Sequence, residues 1–257
     1  MKKVVFGFLL MSLMFGLSFT TACGNDDDSS DADADTDTDS DTDGDTDGDT
    51  DGDTDADGDG DWDMFEDFES YAPGDMIVAT AGDPWVTWSD PALPDEDAMV
   101  VDTNSFSGKN SLYIVDNNDV VWMLEKTSGR WAVEFEMFIE EGKLGYYNFQ
   151  QVFTGDSAGV WAFEMYFYAG GVGNCVIAGK QYPFKFKEGV WYTVQHDIDI
   201  DGDVATIVVD GTEVYSWQWS LAQGGTPPGN CDGIDFYGNP DPPGSGYWMD
   251  DVRIGPL

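Results

Sequence analysis

Residues 190–219 read VWYTVQHDIDIDGDVATIVVDGTEVYSWQW. Tyr192, Val194, His196, Ile198 and Ile200 alternate with Trp191, Thr193, Gln195, Asp197 and Asp199, the periodicity of a strand with one apolar face. Asp201-Gly202 then turns the chain, Val204–Val209 returns, and Asp210-Gly211 turns it again. Asp-Gly between alternating runs signals a hairpin, because both central residues of the tight turn adopt positive φ. The stretch predicts an antiparallel three-stranded meander, and residues 62–257 read as a body packed around it.

Working outward, no segment after Trp62 keeps a helical period over ten residues. Short alternating runs recur instead, separated by Gly, Pro, Asn and Asp. Strands are predicted near 62–70, 85–88, 98–101, 111–116, 119–125, 130–140, 146–153, 159–168, 174–178, 190–200, 203–209, 212–219, 232–237 and 246–254. The fold class is all-β, an antiparallel β-sandwich, and the segment is long enough for one sizeable core.

The chain before it is of another kind. Lys+Arg number 10 and Asp+Glu 51, a net charge of -41, which excludes nucleic acid and anionic membrane surfaces as natural partners. Residues 24–61 hold 19 of those acids, all Asp: Asp26, Asp27 and Asp28, then every second position from Asp31 to Asp61. No side chain there is apolar and larger than Ala, so nothing offsets the entropy of ordering it. Residues 23–61 are therefore expected to form a disordered acidic tether, roughly 130 Å long at full stretch. Asp43-x-Asp45-x-Asp47-Gly48 matches the first half of an EF-hand loop. Thr54 stands where the closing bidentate Glu belongs, which favours a solvated polyanion. All ten Trp lie beyond the tether.

Met1–Ala22 has Lys2 and Lys3, an apolar run from Val4 to Phe19, and small residues before Cys23, the layout of an export signal rather than a membrane span. Thr20-Thr21-Ala22-Cys23-Gly24 resembles a bacterial lipobox, with Thr20 in place of the usual Leu. The resemblance implies cleavage before Cys23 and lipidation of that residue. Several acyl chains make a stable anchor. Gly24 after the Cys resembles lipoproteins sent to an outer membrane, so a cell-surface location is expected.

Within the domain, FEDFESYAPGDMI, SFSGKNSLYI, RWAVEFEMFI, GVWYTVQHDIDIDGDVATIVVDGTEV, DGIDFYGNP and GYWMDDVRIG follow in an order that resembles the concanavalin A-like (laminin-G-like) jelly rolls of bacterial surface proteins and carbohydrate-binding modules. The resemblance covers nearly all of residues 62–257 and implies a ligand groove on the concave sheet face. Galactose-binding-like modules share the opening Asp-Phe-Glu and closing Asp-Asp-Val and are the alternative fold. The same resemblance implies a structural calcium between the terminal strands, with Asp67, Glu69, Asp250 and Asp251 as candidate hard-oxygen ligands. Solvent-facing acids on edge strands are the other reading. Cys175 and Cys231 each follow Gly-Asn; in an exported chain such a pair reads as a disulfide worth on the order of 4 kcal/mol, against a reactive thiol pair.

Strand parity selects the candidate binding residues. Glu134 and Glu136 oppose Val133, Phe135 and Met137. Tyr146, Asn148 and Gln150 oppose Tyr147 and Phe149. Glu164, Tyr166 and Tyr168 oppose Phe163, Met165 and Phe167. If these strands are neighbours, one face carries carboxylates, amides and phenol rings together. Rings stack on sugar faces while amides and carboxylates take the hydroxyls. An ordinary polar sheet face is the competing reading.

Catalytic patterns are weaker. Glu134-Phe135-Glu136 with Glu140 resembles the Glu-x-Asp-x-x-Glu of family 16 glycoside hydrolases, but Glu140 comes too late. Residues 134 and 140 lie about 20 Å apart along a strand, whereas a retaining pair needs ~5 Å. Gln195-His196 is adjacent, so the Gln-x-His of alginate-lyase-like jelly rolls is not met. His196 has the parity of a core or groove-wall residue. The sequence reads as a lipid-anchored, monomeric surface protein that binds a glycan or polysaccharide without catalysis. A divergent hydrolase or lyase, or a structural or adhesive envelope protein, is the alternative.

Overall fold

The structure, a computed structural model, describes residues 62–155, 159–225 and 229–257. The expected signal (1–22), Cys23 and acidic tether (23–61) lie outside the described residues. The strands are β1 (Met64–Glu66), β2 (Trp85–Thr87), β3 (Met99–Val101), β4 (Ser111–Val115), β5 (Asp119–Lys126), β6 (Arg130–Ile139), β7 (Gly145–Val152), β8 (Val160–Tyr168), β9 (Val172–Ile177), β10 (Lys180–Lys185), β11 (Trp191–Asp199), β12 (Val204–Val209), β13 (Thr212–Trp217), β14 (Cys231–Tyr237) and β15 (Gly246–Pro256). A single helical turn, Ile77–Ala81, and a 3-10 turn, Trp219–Gln223, complete the described elements. Sheet A runs β13-β12-β11-β6-β15-β4-β3, with β1 also on β15; sheet B runs β10-β9-β8-β7-β14-β5-β2. Every pairing between these strands is antiparallel. The domain is a β-sandwich.

The meander β11-β12-β13 forms as its alternation predicts, but its two turns differ. Asp210 and Gly211 both take positive φ (48 and 70), as a tight hairpin turn requires. The first connection is longer, and its left-handed residue is Asp203 (φ 55), one past the Gly. The Asp203 carboxylate accepts the Ser220 N–H at 2.7 Å and the Gln218 amide at 2.8 Å, which holds the turn against the 3-10 segment.

Alternation sends one parity of each long strand into the space between the sheets. Phe135 of β6, Val194 of β11, Tyr147 and Phe149 of β7, Phe163 of β8 and Phe236 of β14 are wholly or almost wholly buried there. His196 lies in the same layer. Its Nε2 is 3.0 Å from the Tyr147 hydroxyl, and its ring is ringed by Phe135, Phe149 and Phe163. Burial lowers its pKa to about 3, because nothing in that layer compensates a buried imidazolium. The sole His is thus a core residue, one of the two positions its parity allows.

β6 and β7 follow each other in sequence yet sit in different sheets. The connecting segment does not close a hairpin. The Glu140 N–H binds Gly246 O at 3.0 Å and the Leu144 N–H binds Gly244 O at 3.0 Å, so the chain is carried across the end of the sandwich. β14 then fills the place beside β7 that β6 would have taken, with Gly233 against Gln150 and Asp235 against Asn148.

β10, Lys180–Lys185, is a strand that the sequence pattern conceals, because Pro183 interrupts it. Pro has no N–H for a ladder, and an edge position needs none on its outer side. β15 carries a bulge between Asp250 and Arg253, with Asp251 at φ 48. The Asp-Asp pair supplies the short polar residue that tolerates this conformation.

The expected disulfide is not formed: Cys175 and Cys231 are free and buried. Cys175 belongs to β9 and Cys231 to β14, three places apart in sheet B. At about 4.8 Å per strand that separation is roughly 14 Å, well beyond the reach of a bridge. Burial raises both thiols, Cys175 to about 12. Peptide mapping after alkylation in denaturant without reductant should therefore recover Cys175 and Cys231 as two labelled thiols. A linked Cys175–Cys231 peptide would contradict the strand order.

Candidate functional site

The outer face of sheet B collects most of the expected binding residues and adds others. Tyr146 and Asn148 of β7 lie directly across from Tyr166 and Glu164 of β8. On the other side Asn148 faces Asp235 of β14, and Tyr237 of β14 faces Asp119 of β5. Each points outward because its chain neighbours fill the core.

These side chains are joined in one network. Glu164 Oε1 accepts the Tyr166 hydroxyl at 2.6 Å and the Tyr146 hydroxyl at 3.1 Å. The Asn148 amide donates to Tyr146 Oη at 3.2 Å and to Asp235 Oδ2 at 2.5 Å, and the Gln150 amide donates to Asn148 Oδ1. Above the network stand four phenol rings. Tyr146 packs edge-on against Tyr166 and Tyr237, with centroids 4.9 and 6.0 Å apart; Tyr166 and Tyr168 lie parallel, 6.0 Å apart and 7° from coplanar. Farther along the sheet, Trp88 packs on Trp161 and Phe153, and Trp161 is about half exposed (49%).

Asp119 and Asp235 form a carboxyl pair. Burial and mutual repulsion raise Asp119 strongly; burial also raises Asp235, while hydrogen bonds from Asp119 and Asn148 pull it back. Two carboxyl groups this close cannot both ionise cheaply, so the pair holds a shared proton at neutral pH. Glu96 adds a further negative charge beside both. Burial and the Glu164 charge hold the Tyr166 phenol far above its ordinary value, so it stays a hydrogen-bond donor.

Glu134 and Glu136 are a correction. They lie on β6, hence on the outer face of sheet A, on the opposite side of the sandwich from Tyr146. Glu134 pairs with Arg253 of β15, and Glu136 accepts the Thr193 hydroxyl at 2.9 Å. Beside them a cross-strand row, Trp191–Phe138–Trp248–Tyr113–Met99, spans five strands of sheet A. Tyr113 and Trp248 stack at 4.3 Å. Asp119, Asp235, Tyr237, Glu96, Trp88 and Trp161 are the residues that sequence reasoning missed. Asp235 and Tyr237 carried a usable signal, since they alternate with Ile234 and Phe236, but their neighbour β7 is remote in sequence.

Of the proposed calcium ligands, both Asp250 oxygens and one oxygen each of Asp67, Glu69 and Asp251 accept hydrogen bonds from the protein itself. Asp250 Oδ2 accepts the Phe106 N–H at 2.8 Å, and Asp251 Oδ1 accepts the Ser107 hydroxyl at 2.8 Å. Glu69 Oε1 accepts the Lys109 and Asn110 N–H groups, each at 2.6 Å, and Asp67 Oδ1 accepts the Glu69 N–H at 3.0 Å. Donors of this kind repel a cation, and among the described residues no three acidic, His or Cys side chains converge on one point. These contacts form a clasp that ties the 104–110 loop to the terminal strands.

No family and no curated protein matches the chain at the sequence level. Solved structures share its fold at low identity. Cellulose induced protein Cip1 is 10% identical over 76% of this chain and 97% of its own, with a TM-score of 0.50. An alginate lyase, Aly36B, in complex with alginate tetrasaccharide, is 14% identical over 76% of this chain and 96% of its own, with a TM-score of 0.49. A sialidase is 12% identical over 72% of this chain, with a TM-score of 0.47, and this chain spans 18% of its length.

The buried acids set a pH dependence. Asp119, Asp235, Asp251 and Glu136 are raised, and Asp250 is raised to about 7. Each binds its proton more tightly folded than unfolded, so its contribution is present below the unfolded value near 4 and is lost as pH rises through the folded value. His196 acts oppositely: its contribution is present above about 6.5 and lost as pH falls towards about 3. The acids outnumber the His, so Tm should rise by about 5 °C or more between pH 8 and pH 5.5 and fall again below pH 4. Asp235→Asn should flatten the first limb. A Tm that declines steadily from pH 8 to 5.5 would contradict the raised acids.

Proposed function

We propose that the domain binds a glycan or polysaccharide, without catalysis, on the outer face of sheet B. Tyr146, Tyr166, Tyr168 and Tyr237 form the stacking surface, and Asn148, Glu164, Asp119 and Asp235 meet the hydroxyls. The observation that carries this reading is the joint hold of Glu164 on two tyrosine hydroxyls. It fixes the rings while leaving them partly accessible. Aromatic rings set rigidly beside carboxylates and amides suit a ligand with flat apolar faces and a hydroxyl rim. On this reading the lipid on Cys23 holds the chain at the bacterial outer membrane, and residues 24–61 carry the domain outward.

A hydrolase or lyase is the weaker reading, for geometric reasons. A shared proton brings the Asp119 and Asp235 oxygens to hydrogen-bond distance, closer than the ~5 Å of a retaining pair and the still wider gap of an inverting one. Glu134 is tied to Arg253, and His196 is sealed in the core.

A polysaccharide panel tests the proposal. At least one polymer should bind without releasing reducing or unsaturated ends. Tyr166→Ala and Tyr168→Ala should each weaken that binding about tenfold, near 1.4 kcal/mol, with an unchanged circular dichroism spectrum. Binding to no polymer, or binding indifferent to both substitutions, would refute the site.

A further inference from the structure

The binding face has a surplus of acceptors and a shortage of donors. Glu96, Asp119, Glu164 and Asp235 all reach it. The tyrosine hydroxyls of Tyr146 and Tyr166 are spent on Glu164. The Asn148 amide is spent on Tyr146 and Asp235. Beneath the rings, Gln150 Oε1 is buried with no donor, Gln150 being wholly shielded from solvent, and Asp119 Oδ1 and Asp235 Oδ1 are buried with nothing but the pair's one shared proton to satisfy them. An unfilled buried acceptor is costly, so these oxygens mark where a ligand's donors belong.

Cations that could fill this role from within are elsewhere. Among the described residues the ion pairs are Lys126–Asp63, Arg130–Asp199 and Arg253–Glu134, none of which touches the face. Lys185 of β10 has the same facing, two strands beyond Tyr168, through the row Tyr168–Val172–Lys185. It is exposed, and it pairs with none of the four carboxyl groups.

We infer that the face selects a cationic amino-sugar polymer, with its ammonium groups seated against Glu164 and the Asp119–Asp235 pair and its sugar faces on the tyrosine rings. The inference rests on the glycan reading above and narrows it. An ammonium brings three donors and no acceptor, the complement of what the face presents. It also gains from the electron-rich faces of the tyrosines. A uronate polymer would set carboxylate against carboxylate, and an N-acetylated one would bring a single amide N–H and no charge. A cation seated beside the carboxyl pair displaces the shared proton, so binding releases a proton to solvent.

The test is calorimetry of the full-length chain, in detergent, with three oligosaccharides of equal length: a glucosamine oligomer, its N-acetylated form and a uronate oligomer. The Asp-rich segment will attract any polycation, so the comparison is made in 0.3 M salt (roughly a 6 Å screening length) and against Glu164→Gln/Asp235→Asn, which leaves that segment unchanged. The glucosamine oligomer should bind the native chain at least tenfold more tightly than the N-acetylated one. It should release a proton, read from the dependence of the heat on buffer ionisation, and the double variant should lose both the preference and the release. Should the double variant fail to fold, Glu164→Gln alone, at a partly buried position, should reduce the preference at least threefold. Equal or tighter binding of the N-acetylated or uronate oligomer would overturn the inference and leave the glycan reading standing. Binding of the glucosamine oligomer that the variants do not alter assigns it to the Asp-rich segment and overturns the inference. Binding of none of the three, together with a silent polysaccharide panel, would sink both.

Discussion

One layer of rings between the sheets determines where everything else goes. Phe135 packs edge to face on Tyr147 and Phe236, Tyr147 edge to face on Phe163, and Phe163 stacks on Phe149, with His196 held by the Tyr147 hydroxyl at 3.0 Å among them. A strand offers its side chains alternately to its two faces, so committing Tyr147 and Phe149 inward leaves Tyr146, Asn148 and Gln150 no choice but outward. The same holds for Glu164 and Tyr166 around Met165, and for Asp235 and Tyr237 around Phe236. The candidate site is the reverse side of the core. Slipping any of these strands by one residue would bury its part of the site and expose its share of the rings.

That constraint also explains the unusual electrostatics of the face. Packing fixes the strand register, and the register sets Asp235 beside Asn148 and brings Asp119 next to it. The acids are not free to separate, so they keep a proton between them instead. Stability yields something to the site here, as buried like charges oppose folding at neutral pH. On the opposite sheet the same principle gives a different outcome. Arg253 neutralises Glu134, and backbone N–H groups of the 104–110 loop satisfy Asp250.

Much of this was legible in the residues themselves. Alternation in 190–219, 130–140, 146–153 and 160–168 identified the strands and the facing of Tyr146, Asn148, Glu164 and Tyr166. Alternation is blind to which strands become neighbours. Glu134 and Glu136 have the right parity but the wrong sheet, because the segment after Ile139 bonds to Gly244 and Gly246 instead of folding back on itself. Asp235 enters the site through β14, which pairs with β7 across more than eighty residues of chain. The cysteines failed for the same reason: an even count says nothing about the two strands, β8 and β7, that stand between β9 and β14. The Asp250-Asp251 pair, read as candidate metal ligands, also forms a bulge and a loop clasp, which depends on backbone N–H groups no composition reveals.

The central claim is therefore one of strand neighbours, and cross-strand proton contacts in an isotope-labelled sample test it most directly. β7 should show contacts from Asn148 to both Glu164 and Asp235, with none from β7 to Glu134 or Glu136. A ladder joining β6 to β7 would instead return the two glutamates to the tyrosine face and dissolve the site as it is drawn here.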